Sequence, residues 1–237
     1  MPPDHLDISV IIPGYNEEAS IEASVSRCLA ALKALKVSHE ILLVDDASTD
    51  ATSTIADRLA EEHPSVRVIH NPINLGVGTS LLVGARAARG NVTIHNGMDL
   101  PFDPSDLGKV LPHFPQADVV VVIRTDRSAH SPWRRLTSFV HHWLVRLLFW
   151  IDVPDLNFTQ AYKREVIQSL PVKARSPAFV TPELIIRARD AGYRLAQVRA
   201  VFHRRESGAP YYGRPRDILW TLADIASFWI ERHLRRG

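Results

Sequence analysis

The residues able to do chemistry in this chain gather where apolar runs stop. Ile41-Leu42-Leu43-Val44 leads directly into Asp45-Asp46 and then Ala47-Ser48-Thr49-Asp50, while the run Ile8 to Ile12 leads into Pro13-Gly14-Tyr15-Asn16-Glu17-Glu18. Runs of this kind are strands covered on both faces, and in open α/β sheets ligands bind just beyond the carboxyl ends of such strands. Carboxylates and hydrogen-bonding side chains on two neighbouring strand tips would form a nucleoside pocket. Taken singly, Asn16, Ser48, Thr49 and Asp50 read equally well as helix caps and turn residues.

Two more tips carry candidate groups. Asn74-Leu75-Gly76-Val77-Gly78 precedes a helix rich in small residues, Gly84, Ala85, Ala87 and Ala88. Its glycine pair lacks the third glycine of a dinucleotide fingerprint, Leu81 standing there, so backbone flexibility and close helix packing account for it. Val92-Thr93-Ile94-His95 leads into Asn96-Gly97-Met98-Asp99-Leu100-Pro101-Phe102-Asp103-Pro104, which puts Asp99 at a fourth tip.

The elements that must position these groups alternate. Strand signals rich in β-branched residues fall at Ile8 to Ile12, Glu40 to Val44, Val66 to Ile69, Asn91 to His95, Asp118 to Ile123 and Leu195 to Phe202. Helical spacing runs from Ser20 to Leu35 and from Ala51 to Glu62. Strand alternating with helix predicts βαβ units, hence an α/β fold with a mainly parallel sheet flanked by helices. The Pro-rich span Pro101 to Pro115 reads as a turn region between two halves of one domain.

At 237 residues, with 46% hydrophobic and 23% charged content, the chain can bury a full core and does not have a disordered composition. The net charge of +2 conceals a skew, since Arg124, Arg127, Arg134, Arg135, Arg204, Arg205, Arg214 and Arg216 all lie in the second half. Such a skew suits a phosphate-rich or anionic-membrane partner, or a solvated face. No recognition module accompanies it, so nucleic-acid binding is not expected. Cys28 is the only cysteine and no secretory signal pattern opens the sequence, which predicts a reducing, cytosolic compartment. No stretch reaches the roughly 18 consecutive apolar residues of a spanning helix.

Two helical stretches are aromatic and basic. Trp133 to Trp150 mixes Arg134 and Arg135 with Phe139, Trp143 and Phe149, and Asp217 to Leu234 carries Trp220, Phe228 and Trp229 before Arg235 and Arg236. This composition suits a membrane interface, and equally a helix packed on the sheet or on a partner.

In order and spacing, Val10-Ile11-Ile12-Pro13-Gly14-Tyr15-Asn16-Glu17, Val44-Asp45-Asp46-Ala47-Ser48-Thr49-Asp50, Asn74-Leu75-Gly76-Val77-Gly78 and Asp99 with Phe102-Asp103-Pro104 resemble the family 2 inverting glycosyltransferases of GT-A fold. Within that family the chain looks most like the dolichol-phosphate (polyprenyl-phosphate) mannose synthase branch. Later segments agree: Arg124, Asp155-Leu156-Asn157 before Ala161-Tyr162-Lys163, Pro182-Glu183-Leu184 with Arg187, and Phe202-x-x-Arg205-x-x-Gly208. The resemblance implies a single GT-A domain over residues 1–210, with a donor half over about 7–105 and an acceptor half over about 106–210, then an amphipathic C-terminal helix in 211–237.

It further implies a nucleotide-sugar donor held by Pro13, Tyr15, Glu17, Asp45, Asp46 and Gly76, with Mg²⁺ or Mn²⁺ bridging the diphosphate to an Asp-x-Asp motif. Alignment on Phe102-Asp103-Pro104 puts Gly97 where the first Asp should stand, leaving Asp99 as the metal-binding carboxylate. Hard cations bind through one or two carboxylates plus substrate phosphates, so one ligand does not forbid a metal; Asn96 or Asp103 could add an oxygen. Near the acceptor end, Pro210-Tyr211 replaces the family's Ser-Lys, and Arg214 follows.

The implied reaction moves a sugar from GDP-mannose or UDP-glucose to a polyprenyl phosphate, catalysed by a cytoplasmic protein peripheral on the inner face of a membrane. A phosphate monoester, with a second pKa of about 6, attacks without a general base. Asp99, Arg124, Asp155 and Arg205 are the expected catalytic residues, and Arg134, Arg135 and Arg205 the expected partners of the acceptor phosphate. Were the acceptor a hydroxyl, Asp155 is the carboxylate to act as base. Gly97 also leaves open a catalytically silent nucleotide-sugar or partner-binding protein, and a soluble transferase acting on a hydroxyl is the other alternative.

Overall fold

The computed structural model describes residues 6–125, 132–201 and 215–234, except for the side chains of 132–137, 215 and 216. Chain order is β1 (Ile8–Gly14), α1 (Ile21–Leu35), β2 (His39–Asp45), α2 (Thr52–Glu62), β3 (Val66–His70), α3 (Val77–Ala87), β4 (Val92–His95), α4 (Leu107–Val110), β5 (Val119–Arg124), α5 (Pro132–Phe149), β6 (Gln160–Lys163), α6 (Arg164–Ser169), α7 (Pro177–Asp190), β7 (Leu195–Ala200) and α8 (Pro215–Leu234).

The strands form one seven-stranded sheet in the order β3-β2-β1-β4-β6-β5-β7. β1 runs parallel to β2 and β4, β2 to β3, and β5 to β7, whereas β6 is antiparallel to both β4 and β5. Two antiparallel steps restore direction, so β1 to β5 and β7 all point their carboxyl ends at one sheet edge. β6 was not among the expected strands. It has only four residues, and its pairing is set by long-range partners on both sides rather than by local pattern.

Residue alternation divides the core. Val10, Ile12, Ile41, Leu43 and Ile94 face α1 and α2, packing with Val25, Leu32 and Leu59. Ile11, Leu42 and Val44 face the other way, packing with Leu81, Ala85, Phe149, Phe179 and Leu184. Strands buried on both faces are what the uninterrupted apolar runs require. At Gly84 an added Cβ would collide with Ile11, so α3 lies unusually close to β1.

The Pro-rich span departs from the expected plain turn. The Asp103 carboxylate accepts the Ser105 N–H at 2.9 Å and opens a short 3₁₀ turn, from which α4 continues and buries Leu107 and Val110. β7 ends at Ala200, two residues short of the expected Phe202.

α8 belongs to the second core cluster. Its Ile225 and Phe228 are buried, and the Phe228 ring stacks on Phe149 at 5.1 Å and meets Phe179 edge-on at 6.0 Å. The Arg187 guanidinium of α7 lies 4.6 Å over Phe228, donates to Glu183 at 2.6 Å and pairs with Glu231 of α8 at 3.2 Å. Asp224 accepts the N–H groups of Arg175 and Ser176, and Arg232 pairs with Asp190 at 2.6 Å. Charge on α8 thus turns inward while Leu219 (66% exposed), Trp220, Leu222 and Ile230 face out. α5 repeats the pattern: Val145 and Phe149 are buried, and Phe139, Trp143 and Leu147 are not, nor is Trp150 directly after it (86% exposed).

Candidate active site

The loops after β1, β2, β3 and β4 meet at the shared carboxyl edge and are sewn together there. Asn16 forms the central stitch: its Nδ2 donates to Thr49 Oγ1 at 3.1 Å, its Oδ1 accepts the Thr49 N–H at 2.8 Å, and its own N–H reaches Ser48 Oγ at 3.0 Å. The Glu17 N–H donates to Thr52 Oγ1 at 2.8 Å, and Glu18 accepts the Ala51 N–H at 2.9 Å. The cap-forming cluster therefore braces one loop against another, while the N-cap positions of α1 and α2 make no side-chain cap bond of their own. Asn16 and Ala47 hold φ values of 55° and 60°, strained conformations that persist because their surroundings fix them.

Asp45 and Asp46 divide the work of holding this edge. Asp45 accepts the Ser48 N–H at 3.1 Å, Ser53 Oγ–H at 2.6 Å and lies 2.9 Å from His70 Nδ1. Burial opposes its ionisation, but the hydrogen bonds from Ser48, Ser53 and His70 outweigh it and hold its carboxyl below the usual range. His70 contacts Asp57 through Nε2 at 3.0 Å, and its pKa is raised chiefly by Asp45, against burial. Asp46 accepts Asn71 Nδ2–H at 2.8 Å and the N–H groups of Leu75 and Gly76 at 2.9 and 2.8 Å. It thereby fixes the start of α3, where Gly76 adopts a φ of +82° that favours glycine. His70 and Asn71 were not singled out from sequence; the only local signal is their position directly after the β3 run.

The Asp99 loop is fastened to β1 and α1. Met98 fills the space over Gly14, where an added Cβ would stand 2.6 Å from its sulfur, and Ser24 Oγ donates to the Met98 carbonyl. Asn96 is spent on the loop itself, donating to the Phe102 carbonyl at 2.7 Å and accepting the N–H groups of Gly97 and Phe102. Asp103 serves the turn after it. A Cβ at Gly97 would lie 2.5 Å from Asp99 Oδ1, so the bare backbone there is what accommodates the Asp99 carboxylate. Among the described residues no cluster of three or more His, Cys, Asp or Glu could enclose a metal. The donor set fits a cation that shares Asp99 with substrate phosphates, and no cation caged by protein alone.

The structure thus brings Pro13, Tyr15, Glu17, Asp45, Asp46, Gly76 and Asp99 to one sheet edge. Arg124 ends β5 on that same edge, beyond β6, and pairs with Asp155, another of the expected catalytic residues. Its Nε and Nη2 donate to Asp155 at 2.7 and 2.9 Å in a bidentate fork, and its guanidinium lies 5.3 Å over the Phe158 ring. Asp155 is buried, and the Asn157 N–H approaches it at 3.4 Å. Arg134 and Arg135 fall in the first turn of α5, with side chains outside the described residues; Arg205, Tyr211 and Arg214 lie outside them altogether.

Residues 9–170 match the family model described as glycosyl transferase family 2. Three curated relatives cover nearly the whole chain. Glycosyltransferase AglD of Haloferax volcanii is 28% identical over 97% of this chain and 38% of its own length. Dodecaprenyl-phosphate galacturonate synthase of Rhizobium johnstonii is 26% identical over 99% and 70%. Undecaprenyl-phosphate 4-deoxy-4-formamido-L-arabinose transferase of Pseudomonas aeruginosa is 30% identical over 96% and 66%. The chain spans only 38% to 70% of the length of these proteins. Among solved structures, glucosyl-3-phosphoglycerate synthase of Mycobacterium tuberculosis with phosphoglyceric acid superposes with a TM-score of 0.71 at 24% identity, covering 96% of this chain and 80% of that one. The same enzyme with Mn²⁺, uridine diphosphate and phosphoglyceric acid gives 0.69 at 24%, covering 94% and 77%. The architecture is therefore the GT-A fold, and this chain belongs to glycosyl transferase family 2.

Proposed function

We propose that the protein transfers a sugar, with inversion, from a nucleoside-diphosphate donor to a polyprenyl phosphate at the inner, cytoplasmic face of a membrane. The observation that carries this reading is one body with two surfaces: a braced polar edge at the tips of β1 to β4, and the outward apolar faces of α5 and α8. Among the described residues no helix is long and apolar enough to cross a membrane, so those faces fit one lying along a bilayer. Two of the relatives are named for dodecaprenyl-phosphate and undecaprenyl-phosphate chemistry, which supports the acceptor class. Uridine diphosphate in the solved neighbours makes UDP-glucose the first donor to test, ahead of GDP-mannose.

In this reading Pro13, Tyr15, Glu17 and Gly76 border the nucleotide, while Asp45 and Asp46 shape its loops, since hydrogen bonds already engage both carboxylates. Asp99 faces the diphosphate. A cation bound there with the donor phosphates would offset charge on the departing nucleoside diphosphate. An acceptor phosphate oxygen forms the new bond to the anomeric carbon as the bond to the diphosphate breaks, and no proton needs removing. Arg134, Arg135 and Arg205 neutralise the acceptor phosphate, and the Arg124–Asp155 fork positions the turn that follows β5. A hydroxyl acceptor fits less well, because the carboxylate named for base duty is taken by Arg124 on both oxygens.

The test is transfer of labelled glucose or mannose to undecaprenyl phosphate in vesicles, followed by extraction into organic solvent. Lipid-linked product is expected, with turnover reduced at least about a hundredfold in Asp99→Ala and a melting temperature within about 2 °C of the parent. Undiminished turnover in Asp99→Ala removes the donor role assigned to it. Absence of lipid-linked product with every nucleotide sugar tried favours the silent alternative.

A further inference from the structure

Three buried polar atoms among the described residues have no hydrogen-bond partner: Thr93 Oγ1, His95 Nε2 and His141 Nε2. Thr93 and His95 sit on the central strand β4, between two other strands. His141 differs, for it stands on α5 in a chain of side chains that leads to the tip of β5. Its Nδ1 lies 3.4 Å from Asn157 Nδ2, and Asn157 Oδ1 accepts Thr181 Oγ1–H from α7 at 3.2 Å. The Asn157 N–H in turn approaches Asp155, the partner of Arg124.

This chain of contacts, with the Asn157 amide oriented by Thr181, assigns the tautomer. With its Oδ1 facing the Thr181 hydroxyl, Asn157 presents an N–H to His141 Nδ1, which must accept, and a neutral imidazole then carries its proton on Nε2. The ring is neutral at physiological pH because burial, reinforced by His142, pushes its pKa down to about 4. His141 Nε2 is therefore a buried N–H donor that has no acceptor among the described residues. Leaving such a group unpaired is unfavourable, and a buried donor of this kind in a native protein calls for a partner.

We propose that His141 is an acceptor-recognising residue, its Nε2–H donating to an oxygen of the polyprenyl phosphate. This rests on the transferase reading above and adds to it a contact on the acceptor side. The placement favours the acceptor over the donor: the donor-edge loops come from β1 to β4, whereas His141 is connected through Asn157 to the Asp155–Arg124 pair at the tip of β5. A neutral donor suits this duty, since it orients the attacking phosphate without a full ion pair.

The experiment compares Michaelis constants for undecaprenyl phosphate in vesicles and for the nucleotide sugar in wild type, His141→Leu and His141→Gln. In His141→Leu the acceptor constant is expected to rise about tenfold, the loss of one hydrogen bond to a charged group, with the donor constant within about twofold. Gln, whose amide can stand in for Nε2–H, is expected to recover most of the loss. Independently of any variant's folding, ring ¹⁵N shifts of wild type should show the proton on Nε2 and should move on adding undecaprenyl phosphate but not uridine diphosphate. A proton on Nδ1, equal effects on both constants, or an unchanged acceptor constant in His141→Leu overturns the assignment while leaving the transferase reading intact. No transfer in wild type overturns both.

Discussion

The two ends of the sheet's carboxyl edge hold polar groups by different means. At the tips of β1 and β2 the carboxylates and amides are satisfied by a mesh of backbone N–H groups and short hydroxyl side chains, with Asn16, Asp45 and Asp46 each making several bonds. At the tip of β5 Arg124 is held chiefly through a bidentate fork on the buried Asp155 carboxylate, 31 residues away. A mesh spreads the loss of any member over its neighbours. A buried ion pair does so less, because deleting one partner leaves the opposite charge poorly compensated.

The largest effect that would break this comparison is on stability. Asp155→Ala should cost about 3–5 kcal/mol, lowering the melting temperature by about 6–15 °C, whereas Asn16→Ala should cost about 1 kcal/mol. Equal shifts in a thermal scan would show that the two tips are not built differently. Next in size, Trp143→Glu combined with Leu219→Glu should reduce flotation with anionic vesicles about tenfold and leave the melting temperature unchanged, since both side chains are exposed. Unaltered flotation would remove the lipid surface from the proposal.

The smallest effect concerns pH within the mesh. His70 has a raised pKa in the folded protein, so its stabilisation is fully present below the ordinary imidazole value of 6.5 and is lost as pH climbs through the raised value. Asp45 behaves oppositely, contributing above the ordinary carboxylate value of 3.8 and failing only as pH falls through its lowered one. The stability difference between wild type and His70→Gln should then be below about 1 kcal/mol, His70 being part exposed, and should shrink as pH rises above the ordinary 6.5 through the raised value. A difference independent of pH would mean that the imidazole's charge plays no part.

The same contrast explains what could be read from the sequence. The donor-side strands announce themselves through Ile8 to Ile12 and Ile41 to Val44, and the brace residues follow them immediately, so both fold and edge were legible there. The roles within that edge were not: nothing in the order of residues distinguishes an Asp46 that holds a loop from one that binds a ligand. On the acceptor side the determinants are distant in sequence. β6 pairs with residues that lie 39 to 71 positions earlier, and the Arg124–Asp155 fork and the His141–Asn157–Thr181 chain exist only once α5 and α7 have packed. The aromatic helices were legible as amphipathic, yet their inner and outer faces were both apolar, so composition could not decide between core and surface. The structure assigns them to both.

The inward charges of α8 have a mechanical consequence. Because Asp224, Glu231 and Arg232 are each fastened to the body of the domain, the helix has no slack with which to swing out like an anchor on a tether. A bilayer meeting its outer face would meet the whole domain as one solid piece. The distance from lipid surface to sugar would then be set once, by the thickness of the protein between them, and only acceptors whose head groups reach that height would be served.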